Sequence, residues 1–488
     1  MKRRDFGRGV LGLGVAAQAA LVHGEERPAA GSAAETCEEP ARKLPVRRFD
    51  VVVAGGGTAG VVAALAAARQ GAKTALIEAK GYPGGTVTEG GTALHSFFNL
   101  WKAFPGVEKR QVVRGIPQEI VDRLAKVGGT SGHAEAIQGY NYDSVCTAVD
   151  TELYKLVTFE MLDEAGVFVC VNTLAAGALM DGSRVKAAMV ESRSGREAFS
   201  AKAFIDCTAA GDLAAYAGAA YTEPNDHPVA NSIGIGNVNV EKYGEFLESN
   251  RVITELARGR RSGKDGRIVR LNGGTGNLPE EFKKEAGRIG LSLTPTTVHD
   301  HYFRFIKLNF KMRVSPTDRD EVAKAELELR RRQLKAVELF RKFVPGCEDA
   351  FIARTSPRLC IRRGRTIACD YDITHEDVIE GRHFEDDVLA YGFHDMAPRL
   401  QIKNGGTYGI PYRALRVKGI DNLLAAGMMI TSDFRAHMST RNTVCCMGQG
   451  QAAGTAAALC AQKGCGTRDL AYRDLRKALE KGGVHFEG

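Results

Sequence analysis

The stretch Gly55-Gly56-Gly57-Thr58-Ala59-Gly60 has residue types and spacing that bear directly on chemistry, because it satisfies G-x-G-x-x-G. Each residue type has a mechanical purpose. Gly55 permits a tight turn, Gly57 lets the backbone approach a pyrophosphate, and Gly60 lets a helix pack closely on a strand. Thr58 and Ala59 would open that helix, whose free N–H groups and positive end face the phosphates. Glu78 stands 23 positions after Gly55, close to the spacing expected of a carboxylate that accepts hydrogen bonds from ribose hydroxyls. An acid there disfavours a phosphorylated ribose and so argues against NADP. A glycine turn with no nucleotide is the plainer alternative.

A second concentration lies in Thr431 to Asn442 (TSDFRAHMSTRN), with Arg435, His437, Ser439 and Arg441 inside seven residues. His437 could serve as a base, since an imidazole titrates near neutrality. Arg441 could hold an anionic group or stabilise developing negative charge. Asp395, beside His394 in YGFHDMAP, is a further catalytic candidate. Arg362, Arg363 and Arg365 could bind an acidic substrate or form a solvated face. His299 and His301 flank Asp300 without a further ligand nearby, so no metal site is expected. For each of these residues, a side chain satisfied within the fold competes with the chemical reading.

The elements needed to position the glycines are legible around them. Phe49 to Ala54 (FDVVVA) predicts a buried strand, Gly55 to Gln70 a helix capped by Gly71, and Lys73 to Glu78 a second strand. That unit implies a right-handed crossover and a parallel sheet. Glu152 to Gly166 predicts an amphipathic helix, followed by a strand at Val167 to Val171. Runs at Ala175 to Met180, Val185 to Ser192 and Glu197 to Ala201, separated by polar turns, predict a β-meander. Ala203 to Cys207 is another strand. From about Asn231 the sequence becomes charged and irregular, up to a helical block at Asp318 to Phe343. A strand at Asn422 to Ala426 and a Gly/Ala-rich helix from Gly448 to Ala461 return to the first pattern. The expected architecture is α/β: a Rossmann-like domain of parallel sheet plus β-meander, discontinuous over 49–230 and 355–475, with an inserted α+β substrate domain at 231–354. Residues 25–48 read as a linker and 476–488 as a C-terminal tail.

Three further segments carry a resemblance. Gly84-Gly85-Thr86 resembles the second glycine pair of FAD-dependent oxidoreductases of the glutathione reductase type. Ala203 to Ala219 (AFIDCTAAGDLAAYAGA), with Gly211 and Asp212, resembles their later strand-plus-Gly-Asp element. Asn422 to Met429 (NLLAAGMM), with Gly427, and Met447 to Ala458 (MGQGQAAGTAAA), with Gln449, Gly450 and Gln451, resemble their flavin-contacting strand and helix. The resemblance spans residues 49 to 475 and implies FAD, bound non-covalently with its pyrophosphate on the Gly57–Gly60 helix start. It further implies oxidation, or reduction, of a small polar substrate such as a hydroxy compound or sugar derivative by hydride transfer with flavin N5. In that scheme His437 is the base, Arg441 holds the substrate or reduced flavin, and an unidentified electron acceptor completes the cycle. A non-redox flavin-dependent isomerase or hydratase, and a catalytically degenerate FAD-binding protein, are the alternatives. There are departures: Cys207-Thr208-Ala209-Ala210-Gly211-Asp212 replaces the group's usual A-T-G-D-G-D, and Ile361-Arg362-Arg363-Gly364-Arg365 stands where Glu-Ser-Arg-Arg is common.

Composition bounds the remaining possibilities. A 488-residue chain with 44% hydrophobic and 25% charged residues is of ordinary globular type. The formal charge is +8, but the first eight residues supply a net +3, leaving roughly +5 on the remainder, too little for a nucleic-acid-binding face. MKRRDFGR followed by the apolar run Gly9 to Val22 resembles a twin-arginine signal over residues 1–24. The expectation is therefore a periplasmic or otherwise exported protein with no stable membrane span after signal cleavage. Eleven scattered cysteines without C-x-x-C pairs suggest neither a disulfide scaffold nor zinc. Adjacent Cys445 and Cys446 read as core packing or as a redox pair.

Overall fold

The computed structural model describes residues 36–102, 105–138, 143–393 and 402–486; the signal-like segment and Asp395 with its neighbour His394 lie outside them. Val51–Ala54 is buried at every position, as a strand covered on both faces must be. It sits at the centre of a five-stranded parallel sheet. The order across that sheet is Leu423–Ala425, Ala203–Asp206, Val51–Ala54, Thr74–Ile77 and Phe168–Cys170. The chain leaves Val51–Ala54 through the glycine turn into a helix, Thr58–Arg69, that is buried from Thr58 to Ala67.

That helix is buried all round because a second one, Thr443–Lys463, lies against it. Small residues set how close the two can come. A Cβ on Gly450 would fall 2.2 Å from the Ala59 carbonyl oxygen, and one on Gly454 only 2.1 Å from that of Ala63. Gly454→Ala must push the helices apart, and overpacking of this kind costs about 1–3 kcal/mol. We expect denaturant unfolding of Gly454→Ala to show a loss in that range. An unchanged midpoint would mean that the helices are not in contact there.

Leu174–Asp181, Arg184–Ser192 and Gly195–Ser200 form the expected meander, each antiparallel to the next. Val46–Arg48 adds a parallel strand to its edge, so the segment read as a linker ends in structure, with Arg47 Nε donating to Glu197 at 2.9 Å. Above the parallel sheet lies an antiparallel nine-stranded sheet. Its order is Phe351–Thr355, Val229–Gly236, Tyr302–Phe310, Leu291–Thr296, Lys264–Gly273, Ile253–Arg261, Ala134–Gln138, Val145–Thr147 and Leu94–His95. Helices Val240–Ser249, Glu280–Ile289 and Arg319–Phe343 pack on it around Tyr243, Phe303 and Phe340, forming a second core.

Two boundaries differ from the sequence reading. The nine-stranded sheet is built from two stretches of chain, because residues 94–147 contribute three of its strands in addition to those within 229–355. Those three strands are two to five residues long, too short for alternation to mark them. Nor is the C-terminus a tail throughout: Tyr472–Lys481 is a helix that buries Leu475 and Leu479, one turn apart, against the main core.

Candidate active site

The two glycine turns face one another. Gly57 is the N-cap of Thr58–Arg69, with no side chain capping that helix. Gly85, at φ 54°, holds the same position before the short helix Thr86–Gly90. Gly84 N–H donates to the Gly56 carbonyl at 2.9 Å, and Thr58 Oγ1 donates to the Gly84 carbonyl at 3.2 Å, so the turns are pinned together. Gly57 has open space where a Cβ would stand, the nearest atom being Gly85 Cα at 3.9 Å. Gly55 and Gly60 are tight instead: a Cβ on Gly55 would lie 2.4 Å from the Cys207 carbonyl oxygen, and one on Gly60 1.7 Å from that of Gly55. Glu78 ends the neighbouring strand, buried, with its carboxylate accepting from Gly56 N–H at 2.8 Å and Lys80 N–H at 2.9 Å. Burial raises its pKa, against those hydrogen bonds and the Lys80 charge.

From these turns a cavity of about 550 Å³ runs to the nine-stranded sheet, a size suited to a bound organic cofactor and substrate. Gly55, Gly57, Thr58, Ala59, Glu78, Gly85, Thr86, Asp212 and Gly427 all line it. An uncapped helix start, two bare glycines facing each other and a carboxylate at the strand end fit the pyrophosphate and ribose of a dinucleotide. Gly211 caps the helix Asp212–Tyr216, and Asp212 accepts from Arg365 Nη1 at 3.0 Å. Ala209, at the glycine position of the A-T-G-D-G-D pattern that residues 207–212 resemble, keeps a left-handed φ of 68°. The altered motif thus retains the glycine backbone path at a cost of about 1–2 kcal/mol.

Other expected residues have different places. Gln449, Gly450 and Gln451 do not line the cavity. Gln449 braces it from behind, accepting from Gly427 N–H at 2.8 Å and donating to the Thr440 carbonyl at 2.8 Å. Gly450 serves the helix contact, and Gln451 accepts from Ile116 N–H at 3.0 Å. The helix begins at Thr443, a turn earlier than its glycines suggest, so Asn442, Thr443 and Cys446 meet the cavity instead.

His437 requires a correction as the base. The helix Phe434–Thr440 turns it inward, where it is fully buried, lines no part of the cavity and bonds the Arg362 carbonyl through Nε2 at 2.9 Å. Its pKa is held well below the ordinary value, by burial first and the Arg441 charge next. Arg441, one turn on, does line the cavity. Arg362 lines it too, but Arg363 is buried in an ion pair with Asp226 at 2.6 Å. His299 bonds Asp150, the N-cap of Thr151–Glu164.

The sequence reading missed one pair. His95 and Asp143, both buried, are joined through Nδ1 and Oδ2 at 3.1 Å, and His95 lines the cavity. Pairing of Leu94–His95 with Cys146–Thr147 brings them together. Asp143 also accepts from Ser96 N–H at 3.0 Å and Val145 N–H at 3.3 Å. Burial pushes its pKa up to about 7. With Nδ1–H donated to the carboxylate, Nε2 is the basic nitrogen of the ring, the arrangement of an oriented proton carrier. No motif announces two residues 48 positions apart; only strand register does.

The family model described as FAD dependent oxidoreductase matches residues 50–479. The 3-oxosteroid 1-dehydrogenase of Mycobacterium tuberculosis is 38% identical over 98 residues, which is 20% of this chain and 16% of that enzyme. The enzyme of the same name from Mycolicibacterium smegmatis is 38% identical over 95 residues, 19% of this chain and again 16% of the relative. Among solved structures, a geranylgeranyl bacteriochlorophyll reductase-like protein from Thermoplasma acidophilum aligns with a TM-score of 0.46 and 13% identity, covering 90% of this chain and 83% of its own. The p-nitrophenol 4-monooxygenase of Pseudomonas putida aligns with a TM-score of 0.44 and 11% identity, covering 90% and 84%.

Proposed function

Because the chain belongs to the FAD-dependent oxidoreductase family, we propose that it oxidises a small hydroxyl-bearing molecule in the cavity between its two sheets. One observation carries this reading: His95, paired with Asp143, lines the same cavity as the Gly57 and Gly85 turns. The turns and Glu78 would hold the FAD pyrophosphate and ribose without a covalent bond. FAD, when bound there, would supply the two-electron acceptor for the hydride on the carbon bearing the hydroxyl. His95 takes the hydroxyl proton on Nε2 as the C–O bond becomes C=O, and Asp143 stabilises the resulting imidazolium. Arg441 places positive charge in the cavity where negative charge develops. The reverse reaction uses the same groups, with His95 donating the proton, and the physiological electron acceptor is a separate molecule.

The mycobacterial matches are named for 3-oxosteroids; Asn231, Arg270, Asn272 and Lys307 in the lining favour a more polar molecule. The test is anaerobic mixing with hydroxy acids, sugars and steroids while following the flavin band near ~450 nm. Bleaching by a hydroxy compound is the expected result. Product without bleaching would favour the isomerase or hydratase reading, and binding with neither would favour a degenerate protein.

We also propose export of the folded chain, which the Arg3-Arg4 pair and the following apolar run support. Changing both arginines to lysine should leave the protein in the cytosolic fraction. Undiminished recovery outside the cytosol would contradict a twin-arginine route. No helix among the described residues is long and apolar enough to cross a membrane.

A further inference from the structure

The sheet that brings His95 to Asp143 also turns a buried cation toward them. Directly paired residues of neighbouring strands share a face. Arg270 pairs with Ala257, and Ala257 with Ala136. Two residues along, Ala134 pairs with Cys146, and Cys146 with His95. Alternate residues of a strand keep one face, so Arg270 and His95 stand on the same side of the sheet. Between them lie Ala257, Ala136, Ala134 and Cys146, all small and all buried, over which a long side chain has room to extend. Arg270 and His95 both line the cavity.

Arg270 is not a loose charge. It is buried, and its Nε lies 2.9 Å from Oε1 of Glu255, also buried, in an ion pair. Glu255 stands two residues before Ala257 and opposite Asn272, whose amide donates to its other carboxylate oxygen. The groups that Arg270 acts on show where its charge bears. Burial raises the Asp143 carboxyl, opposed by the Val145 N–H and then by the Arg270 charge. Burial likewise pushes the Cys146 thiol up to about 12, with Arg270 the leading charge against it and Glu255 and Asp143 on the other side. Other titratable groups meet Asp143 from the elements around it. Cys146, on its own strand, and Tyr391, from Asp387–Tyr391, are both held neutral near pH 7 by burial. His95 shares the proton itself, and Arg304, from Tyr302–Phe310, bears on Cys146.

We infer that Arg270 is a positioning residue of the proton-carrying pair: its guanidinium, held by Glu255 on the face shared with His95, favours the ionised Asp143 carboxylate and so readies His95 to accept a proton. This rests on the reading of His95 and Asp143 as the acid–base pair. The test is infrared titration of the flavin-loaded protein, following the carboxyl C=O band that Asp143→Asn removes. An opposite charge near a carboxylate lowers its pKa by ~1–3 units. Arg270→Gln should therefore move the wild-type inflection, about 7, upward by ~1 unit or more. Arg270→Lys keeps the charge and should bring it back toward the wild-type value. Glu255→Gln leaves the cation uncompensated and should move the inflection downward. Each neutral single variant strands a buried charge, which costs stability, whereas the double change Arg270→Gln/Glu255→Gln strands none. That double variant should fold, as thermal melting will check, and still titrate above the wild type, because Arg270 bears on Asp143 more than Glu255 does. Opposite shifts from the two ends of one ion pair are not what loss of packing produces. A double variant titrating at or below the wild-type value, or equal shifts in Arg270→Gln and Arg270→Lys, would overturn the inference. The two readings fail separately: a shifted Asp143 titration in a protein whose flavin no hydroxy compound bleaches counts against oxidation only, whereas His95-dependent oxidation with an unmoved Asp143 inflection counts against Arg270 only.

Discussion

His95→Gln should lower kcat by ~10²–10⁴-fold, the usual contribution of a positioned acid–base group, while FAD content stays at the wild-type level. Glutamine keeps a polar side chain but cannot accept and release a proton near neutrality. His95 stands on the strand Leu94–His95, apart in sequence from the glycine turns and from Glu78 that would hold the cofactor. The pH profile gives a sharper signature. Asp143 is raised to about 7 by burial, so below that pH the pair carries an extra proton. Oxidation needs the pair ready to accept one. In the wild type, log kcat/KM should therefore rise with unit slope below about pH 7 and level above it, and Asp143→Asn should remove that inflection. The same shift acts on stability with a definite sign. The folded chain holds the Asp143 proton up to about 7, whereas an unfolded aspartate releases it near ~3.9. This residue therefore makes folding less favourable as pH rises across that window, and Asp143→Asn should flatten the dependence. A His95→Gln enzyme with wild-type kcat and profile would remove the pair from the mechanism.

Gly57→Ala should lose FAD and keep its fold. The backbone at Gly57, φ −72° and ψ −164°, is open to any residue, and an added Cβ meets nothing closer than Gly85 Cα at 3.9 Å. The apoprotein should therefore melt within a few degrees of the wild type. In the loaded protein the methyl group would stand where the pyrophosphate approaches the helix start. Losing two charge-assisted hydrogen bonds, at about 1.5 kcal/mol or more each, weakens affinity by roughly 10²-fold. Gly60→Ala is the contrasting control. Its Cβ would lie 1.7 Å from the Gly55 carbonyl oxygen, so the apoprotein itself should be destabilised. Equal loss of fold in both variants would show that Gly57 serves the chain rather than a ligand.

Contacts between close neighbours in sequence were legible; contacts made by register were not. The turn from Val51–Ala54 into Thr58–Arg69 is written in consecutive residues, as are the meander and the Gly84-Gly85-Thr86 turn opposite Gly57. His437 shows the limit. Its loop composition suggested chemistry, but a two-turn helix capped by Asp433 rotates it into the core and leaves Arg441 at the cavity. Asn442 and Thr443 replaced Gln449 to Gln451 at the cavity because side-chain direction follows from where a helix begins. His95, Asp143 and the sheet face with Arg270 and Glu255 gave no sequence signal, since their strands are short, bulged or paired across long separations. The family's fold and cofactor were therefore visible in local motifs, and the groups proposed to handle substrate were not.

The visible absorption spectrum of the purified protein, before and after acid precipitation, decides whether the cavity holds FAD. Bands near ~370 and ~450 nm that move into the supernatant are expected of FAD held by contacts alone in this cavity. A colourless protein that stays colourless and binds no FAD on incubation with it would contradict the account, and the two facing glycine turns would need another ligand.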